Sequence, residues 1–203
     1  PDYVSRMVRY DKKVNLIDSM ELIRGPFLFS PGEMRSVLSD DMSKLALFTI
    51  DKARLFAVVV DTRKMEILTA GDIEVPDYRL YDQFQEAGVS NLGQLFFLFE
   101  KNNESWDKEK HMMRLVMSEL GQTYLHDLTC INTVNSGVKM AIDNVNQRLT
   151  IAGLYGSKSQ NETEGYMVFS AAIANLRQPS LHDIQTFPYD ENILVDLNGV
   201  EKK

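Results

Sequence analysis

The stretch NLGQLFFLFEK, residues 91–101, decides how the fold of this chain is read, because its apolar positions carry the strongest periodic signal in the middle of the sequence. Leu92, Leu95, Phe96 and Phe99 fall at helical spacing, which predicts an α-helix. Phe97 and Leu98 lie off that face and make the segment apolar nearly all round. A helix of that kind is buried in its own fold or covered by a partner.

The sequence downstream continues the helical expectation. After the polar residues 102–104, Ser105 can cap a new helix whose first turn holds Asp107 and Glu109, acids placed where the helix dipole favours them. Met112, Met113, Val116, Leu120 and Tyr124 then form one stripe, with Gly121 placed to end or weaken it. Upstream, residues 44–75 are β in pattern. LALFTI and LFAVVV are apolar at both parities and predict central strands covered on both faces. The segment MEILTAGDIEV follows a four-residue polar break and completes an antiparallel meander that Pro76 ends.

Beyond Cys130 the polar residues 131–137 form a connector, after which a two-residue period returns. VKMAID and RLTIAGLY predict a half-exposed hairpin joined by NVNQ. A polar loop follows, then YMVFSAAIANL, which fits either a strand ending in a helical turn or one long strand. A last short strand is expected at NILVDL, residues 192–197. The expected fold class is therefore α+β: an antiparallel meander in the first half, helices between residues 78 and 128, and a second hairpin-rich β region in the C-terminal third. One domain over residues 1–203 is expected, with a subdivision possible near 131–137. The letters show no internal repeat beyond a small His-Asp echo.

Composition narrows the function classes. At 203 residues, 44% hydrophobic and 25% charged, the chain is long enough for a substantial core. Twenty-two basic against 29 acidic residues give a net charge of −7, which repels phosphate backbones and argues against nucleic acid as a partner. A single cysteine, Cys130, cannot form an intrachain disulfide, so a reducing compartment, the cytoplasm, is expected. No apolar run reaches the roughly 20 residues that a membrane-spanning helix needs.

Catalytic motifs are sparse. There is no G-x-S-x-G elbow, no phosphate-binding loop and no G-x-G-x-x-G, so serine hydrolysis and nucleotide cofactors lack support. The flank of Cys130 is apolar on one side and suits an inert thiol. What remains is the adjacent pair His126-Asp127, repeated as His182-Asp183. Such dyads resemble those of the HD superfamily of metal-dependent phosphohydrolases. That resemblance implies a divalent metal held by a dyad together with a separate histidine and a further aspartate. His111 would supply the upstream histidine. Along an unbroken helix His111 and His126 would be separated by about 22 Å of rise, so the chain must fold back near Gly121 or His182 must contribute instead. The simpler expectation is local turn chemistry, with each aspartate accepting backbone hydrogen bonds.

The favoured expectation is a non-catalytic assembly or structural subunit that needs no cofactor and acts through protein–protein contacts. Its partners would be other protein subunits, in a homo-oligomer or a multiprotein complex, a viral particle included. Phe97, Leu98, Tyr166 and Val168 are the expected contact residues, because the apolar positions of their segments exceed what one face can bury. The alternatives are the metal-dependent phosphohydrolase and a module binding a peptide or small ligand in a pocket between sheet and helices.

Overall fold

The computed structural model describes residues 3–25, 34–50, 54–77, 84–101, 110–131, 134–157, 162–178 and 180–190. In chain order the strands are β1 (Tyr3–Tyr10), β2 (Leu16–Gly25), β3 (Arg35–Leu38), β4 (Lys44–Ile50), β5 (Leu55–Asp61), β6 (Glu66–Ile73), β7 (Phe84–Val89) and β8 (Leu95–Lys101). They continue with β9 (Lys110–Glu119), β10 (Gln122–Ile131), β11 (Val134–Asp143), β12 (Arg148–Ser157), β13 (Glu162–Ala172), β14 (Ser180–Asp183) and β15 (Gln185–Pro188). Among the described residues the only helical element is a 3-10 turn, Ile173–Arg177. The expected α+β class is thereby corrected: the fold is almost all β, and the described parts of the segments predicted as central helices are strands, while Ser105, Asp107 and Glu109 lie outside the described residues.

The reason is visible in residues 91–101. Asn91 and Leu92 form a tight turn closed by hydrogen bonds from the Gly93 amide to the Ser90 carbonyl and from the Ser90 amide to the Gln94 carbonyl, both 2.9 Å. Gly93 adopts φ +88°, a conformation that ends any helix. From Leu95 the chain is extended, and Leu95 through Phe99 are all buried, so both faces of β8 are covered. An apolar run of both parities is the mark of a central strand as much as of a buried helix, and periodicity alone does not separate them. The next predicted helix breaks at Leu120 and Gly121, with φ +50° and +80°. Positive φ at both central residues is what a two-residue type I′ hairpin requires, and it turns β9 directly into β10.

The strands form four sheets: β1-β2, β3-β4-β5-β6, β14-β10-β9-β8-β7 and β11-β12-β13-β15. Three successive meanders thus open at Arg35, Phe84 and Val134, a spacing of roughly fifty residues. The repeat that the letters hide is present in topology.

The chain divides into two compact units. The first comprises Pro1–Asp82 with the turn regions Gly88–Leu95 and Ser118–Thr123. Here the expected meander is found, with β4 antiparallel to β5 and β5 to β6. Val58 and Val60 of β5 and Leu22 of β2 form a small core to which Met7, Met20, Ile23, Leu47 and Phe56 add their partly buried side chains. Asp61 ties two turns: its carboxylate lies 3.1 Å from Lys44 Nζ and accepts the amides of Arg63 and Lys64.

The second unit comprises Gln83–Ala87, Phe96–Met117 and Tyr124–Lys203. Its core joins Phe96, Leu98, Met113, Leu115, Met117 and Leu128 to Val138, Leu149, Ile151, Met167 and Phe169. The predicted hairpin is β11–β12, with Asp143 opposite Arg148 at its turn. YMVFSAAIANL resolves into the end of β13 followed by the 3-10 turn. The strand expected at residues 192–197 lies outside the described residues.

Candidate functional site

The two His-Asp pairs meet. β14 runs parallel to β10, with His126 opposite Ser180 and Leu128 opposite His182. The imidazole rings of His126 and His182 lie 5.6 Å apart, and Phe169 packs against His182 with ring centroids 5.2 Å apart. Because side chains alternate along a strand, His126 and Asp127 go to opposite faces of β10. His126 points inward and is fully buried, its Nε2 lying 2.8 Å from the Leu176 carbonyl oxygen. A carbonyl can only accept, so this nitrogen carries the proton. Burial, reinforced by the nearby His182, pushes His126 below its ordinary value, against the opposing pull of the Leu176 hydrogen bond.

Asp127 points the other way. Arg114 grips it with two hydrogen bonds, Nε to Oδ1 at 2.7 Å and Nη2 to Oδ2 at 3.0 Å. A dyad in the manner of the HD superfamily needs both members on one ion, and the alternation of β10 separates them. Neither pair is the turn chemistry expected from the sequence; both are strand residues. The side chains of His111, Cys130 and Asp183 lie outside the described residues. Among the described residues no group of three or more potential metal ligands is assembled.

The four expected contact residues fall into two groups. Phe97 and Leu98 have no exposed surface, so neither side chain reaches a partner. The apolar excess that pointed to them is absorbed by the second face of a central strand. Tyr166 and Val168 lie on the outward side of β13, with Gly165, Met167 and Phe169 buried on the inward side. Tyr166 is 41% exposed and Val168 is half-buried.

Tyr166 does not stand alone. Phe187 of β15 is its direct register partner, and the two rings stack with centroids 4.9 Å apart and planes 12° from parallel. Tyr189 closes the group at 5.9 Å from Tyr166. On the other side Leu154 of β12 stands opposite Tyr166, and Ala152 opposite Val168. Leu154, Tyr166 and Phe187 therefore form one apolar row across three strands, with Phe187 39% exposed. Gly165 lets β15 come this close. A Cβ there would collide with the Phe187 carbonyl oxygen and fall 2.9 Å from Pro188 Cα.

Phe187 and Tyr189 were not expected from the sequence. The one local signal was the alternation in QTFPY, too short to carry a strand assignment before a proline. No helix among the described residues is long and apolar enough to cross a membrane. No protein-family model matches the chain, and no curated protein matches it at a significant level.

Proposed function

We propose that this protein is a non-catalytic assembly module that works by protein–protein contact, through the outward face of β12, β13 and β15. The observation that carries the reading is the solvent-exposed stack of Tyr166 on Phe187, continued by Leu154 and Tyr189. Aromatic side chains that are already ordered by stacking lose little conformational freedom on binding, and such residues dominate interface energetics. Gln185, opposite Val168, borders the row, and Thr150 and Ser170 lie one row further along the same face, supplying a hydrogen-bonding rim. We place this work in the cytoplasm, the compartment that a single cysteine favours.

The test is the size of the native assembly. In extract from the source, the parent chain migrates in a complex heavier than the free chain. The double variant Tyr166→Ser/Phe187→Ser migrates as the lighter form while keeping its far-ultraviolet spectrum. Unchanged migration of a folded double variant overturns the assignment of this face. Loss of two hot-spot rings weakens such a contact by at least about tenfold each.

A further inference from the structure

Residues 180–188 clasp the two sheets of the second unit together. β14 extends the five-stranded sheet beside β10, β15 extends the four-stranded sheet beside β13, and only Ile184 lies between the two strands. Ile184 is buried in the shared core, and its amide donates to the Thr129 carbonyl oxygen at 2.9 Å. Both strands are short, Ser180–Asp183 and Gln185–Pro188. Phe187 is carried by this clasp, so the Tyr166–Phe187 stack exists only while the clasp is shut.

Two imidazoles stand where the clasp is fastened. His182 of β14 touches His126 of one sheet and Phe169 of the other, with ring centroids 5.6 and 5.2 Å away. His126 is fully buried, and its Nε2 donates to the carbonyl oxygen of Leu176, in the 3-10 turn that leads into β14. With Nε2 already carrying a proton, a second one must go to Nδ1 and set a full charge inside the core. The side chains that β9, β12, β13 and the 3-10 turn contribute to that core, Leu115, Ile151, Phe169 and Leu176 among them, carry no charge. Among the described residues two ionisable groups act on His126. His182 opposes its charge, and Asp127 favours it by the smallest of the influences, from the other face of β10 where Arg114 holds it. A charged His126 is therefore far better accommodated in water than in the closed core.

We propose that the His126–His182 pair is a proton-operated latch: uptake of a proton in mildly acidic surroundings opens residues 173–188, frees β15 and dismantles the Tyr166–Phe187 face, on whose role as the contact surface the regulation of assembly rests. The sign follows from burial. Opening returns His126 from its lowered closed-state value to the ordinary 6.5, so the closed form is fully favoured above about pH 6.5 and loses ground as pH falls below it. One proton taken up on opening raises the open fraction by up to about tenfold per pH unit.

The experiment is amide hydrogen exchange of the purified full chain between pH 7.5 and 5.5, corrected for the intrinsic pH dependence of exchange. Protection at residues 181–187 falls by up to about tenfold across that range, while β12 keeps its own. His126→Gln still donates to the Leu176 carbonyl and cannot be charged, so it retains the protection at pH 7.5 and loses the pH response. In parallel, the native assembly of the parent dissociates at pH 5.5 and that of His126→Gln persists. Flat protection in the parent, or an equal response in parent and His126→Gln, overturns the latch. Protection that falls with pH beside an assembly unchanged at pH 5.5 leaves the latch standing and overturns the contact-face reading instead. Should His126→Gln fail to fold, titration of the His126 ring of the parent by nuclear magnetic resonance decides, and a midpoint at or above the ordinary 6.5 overturns the proposal.

Discussion

Gly165→Ala is the single substitution that should separate the proposed contact face from the core. The added Cβ meets backbone on one side, the Phe187 carbonyl oxygen and Pro188 Cα at 2.9 Å, and the Tyr155 ring at 2.7 Å on the other. Tyr155 belongs to the core and is 8% exposed, so it has little room to retreat. The strain is therefore relieved by moving β15, which is held to β13 by the short register from Gly165–Pro188 to Val168–Gln185. Overpacking of this kind costs about 1–3 kcal/mol. Release of β15 also forfeits the Tyr166–Phe187 stack, worth about 0.5–1.5 kcal/mol. The expected outcome is a folded protein, destabilised by roughly 1–3 kcal/mol in urea, whose amides at residues 185–187 exchange at least about tenfold faster. Core strands such as β12 should keep their protection. Parent-like stability together with protected amides at 185–187 would show that β15 does not depend on close approach at Gly165, and the argument for the stacked face would fail with it.

Other substitutions follow the same geometry. Phe97→Ala and Leu98→Ala each remove a fully buried side chain and should cost about 2–5 kcal/mol in urea unfolding, with association of the folded protein unchanged. His126 has a folded-state value below the ordinary 6.5, so the unfolded chain binds the extra proton first and stability declines as pH falls from about 6.5. His126→Gln can still donate to the Leu176 carbonyl but cannot be protonated, and it should reduce that decline between pH 7.5 and 5.5. Asp41 is held down to about 2, first by its hydrogen bonds with Ser43 and with help from Ser39 and Arg63. Its contribution to stability is present above the ordinary 3.8 and is lost as pH falls towards about 2, so Asp41→Asn should flatten acid unfolding in that window.

The parts of this fold that were legible in the sequence are those whose pairing is local. LALFTI, LFAVVV and MEILTAGDIEV, separated by short breaks, became β4, β5 and β6, and VKMAID with RLTIAGLY became β11 and β12. In each case a short polar turn joined strands that pair with each other. Residues 91–131 misled because covering both faces of β8 requires apolar residues at every position, which imitates a helix buried all round. The deciding features were Gly93 and the Leu120-Gly121 turn, whose positive φ values are backbone properties that a stripe of methionines conceals. The candidate face was half legible. Tyr166 and Val168 could be named from YMVF, but their stacking partner arrives only after the chain has passed through the 3-10 turn and paired β14 in parallel with β10. No local pattern encodes that detour. The doubled His-Asp pair was visible at once, and its meaning depended on strand alternation that the expected helix would have denied.

Hydroxyl-radical footprinting of the native assembly against the isolated chain tests the central claim most directly. The account predicts that Tyr166 and Phe187, exposed in the free chain, and the half-buried Tyr189 are shielded from oxidation in the assembly and regain reactivity when it is dissociated. Equal oxidation of these three rings in both states, with shielding elsewhere on the surface, would contradict it.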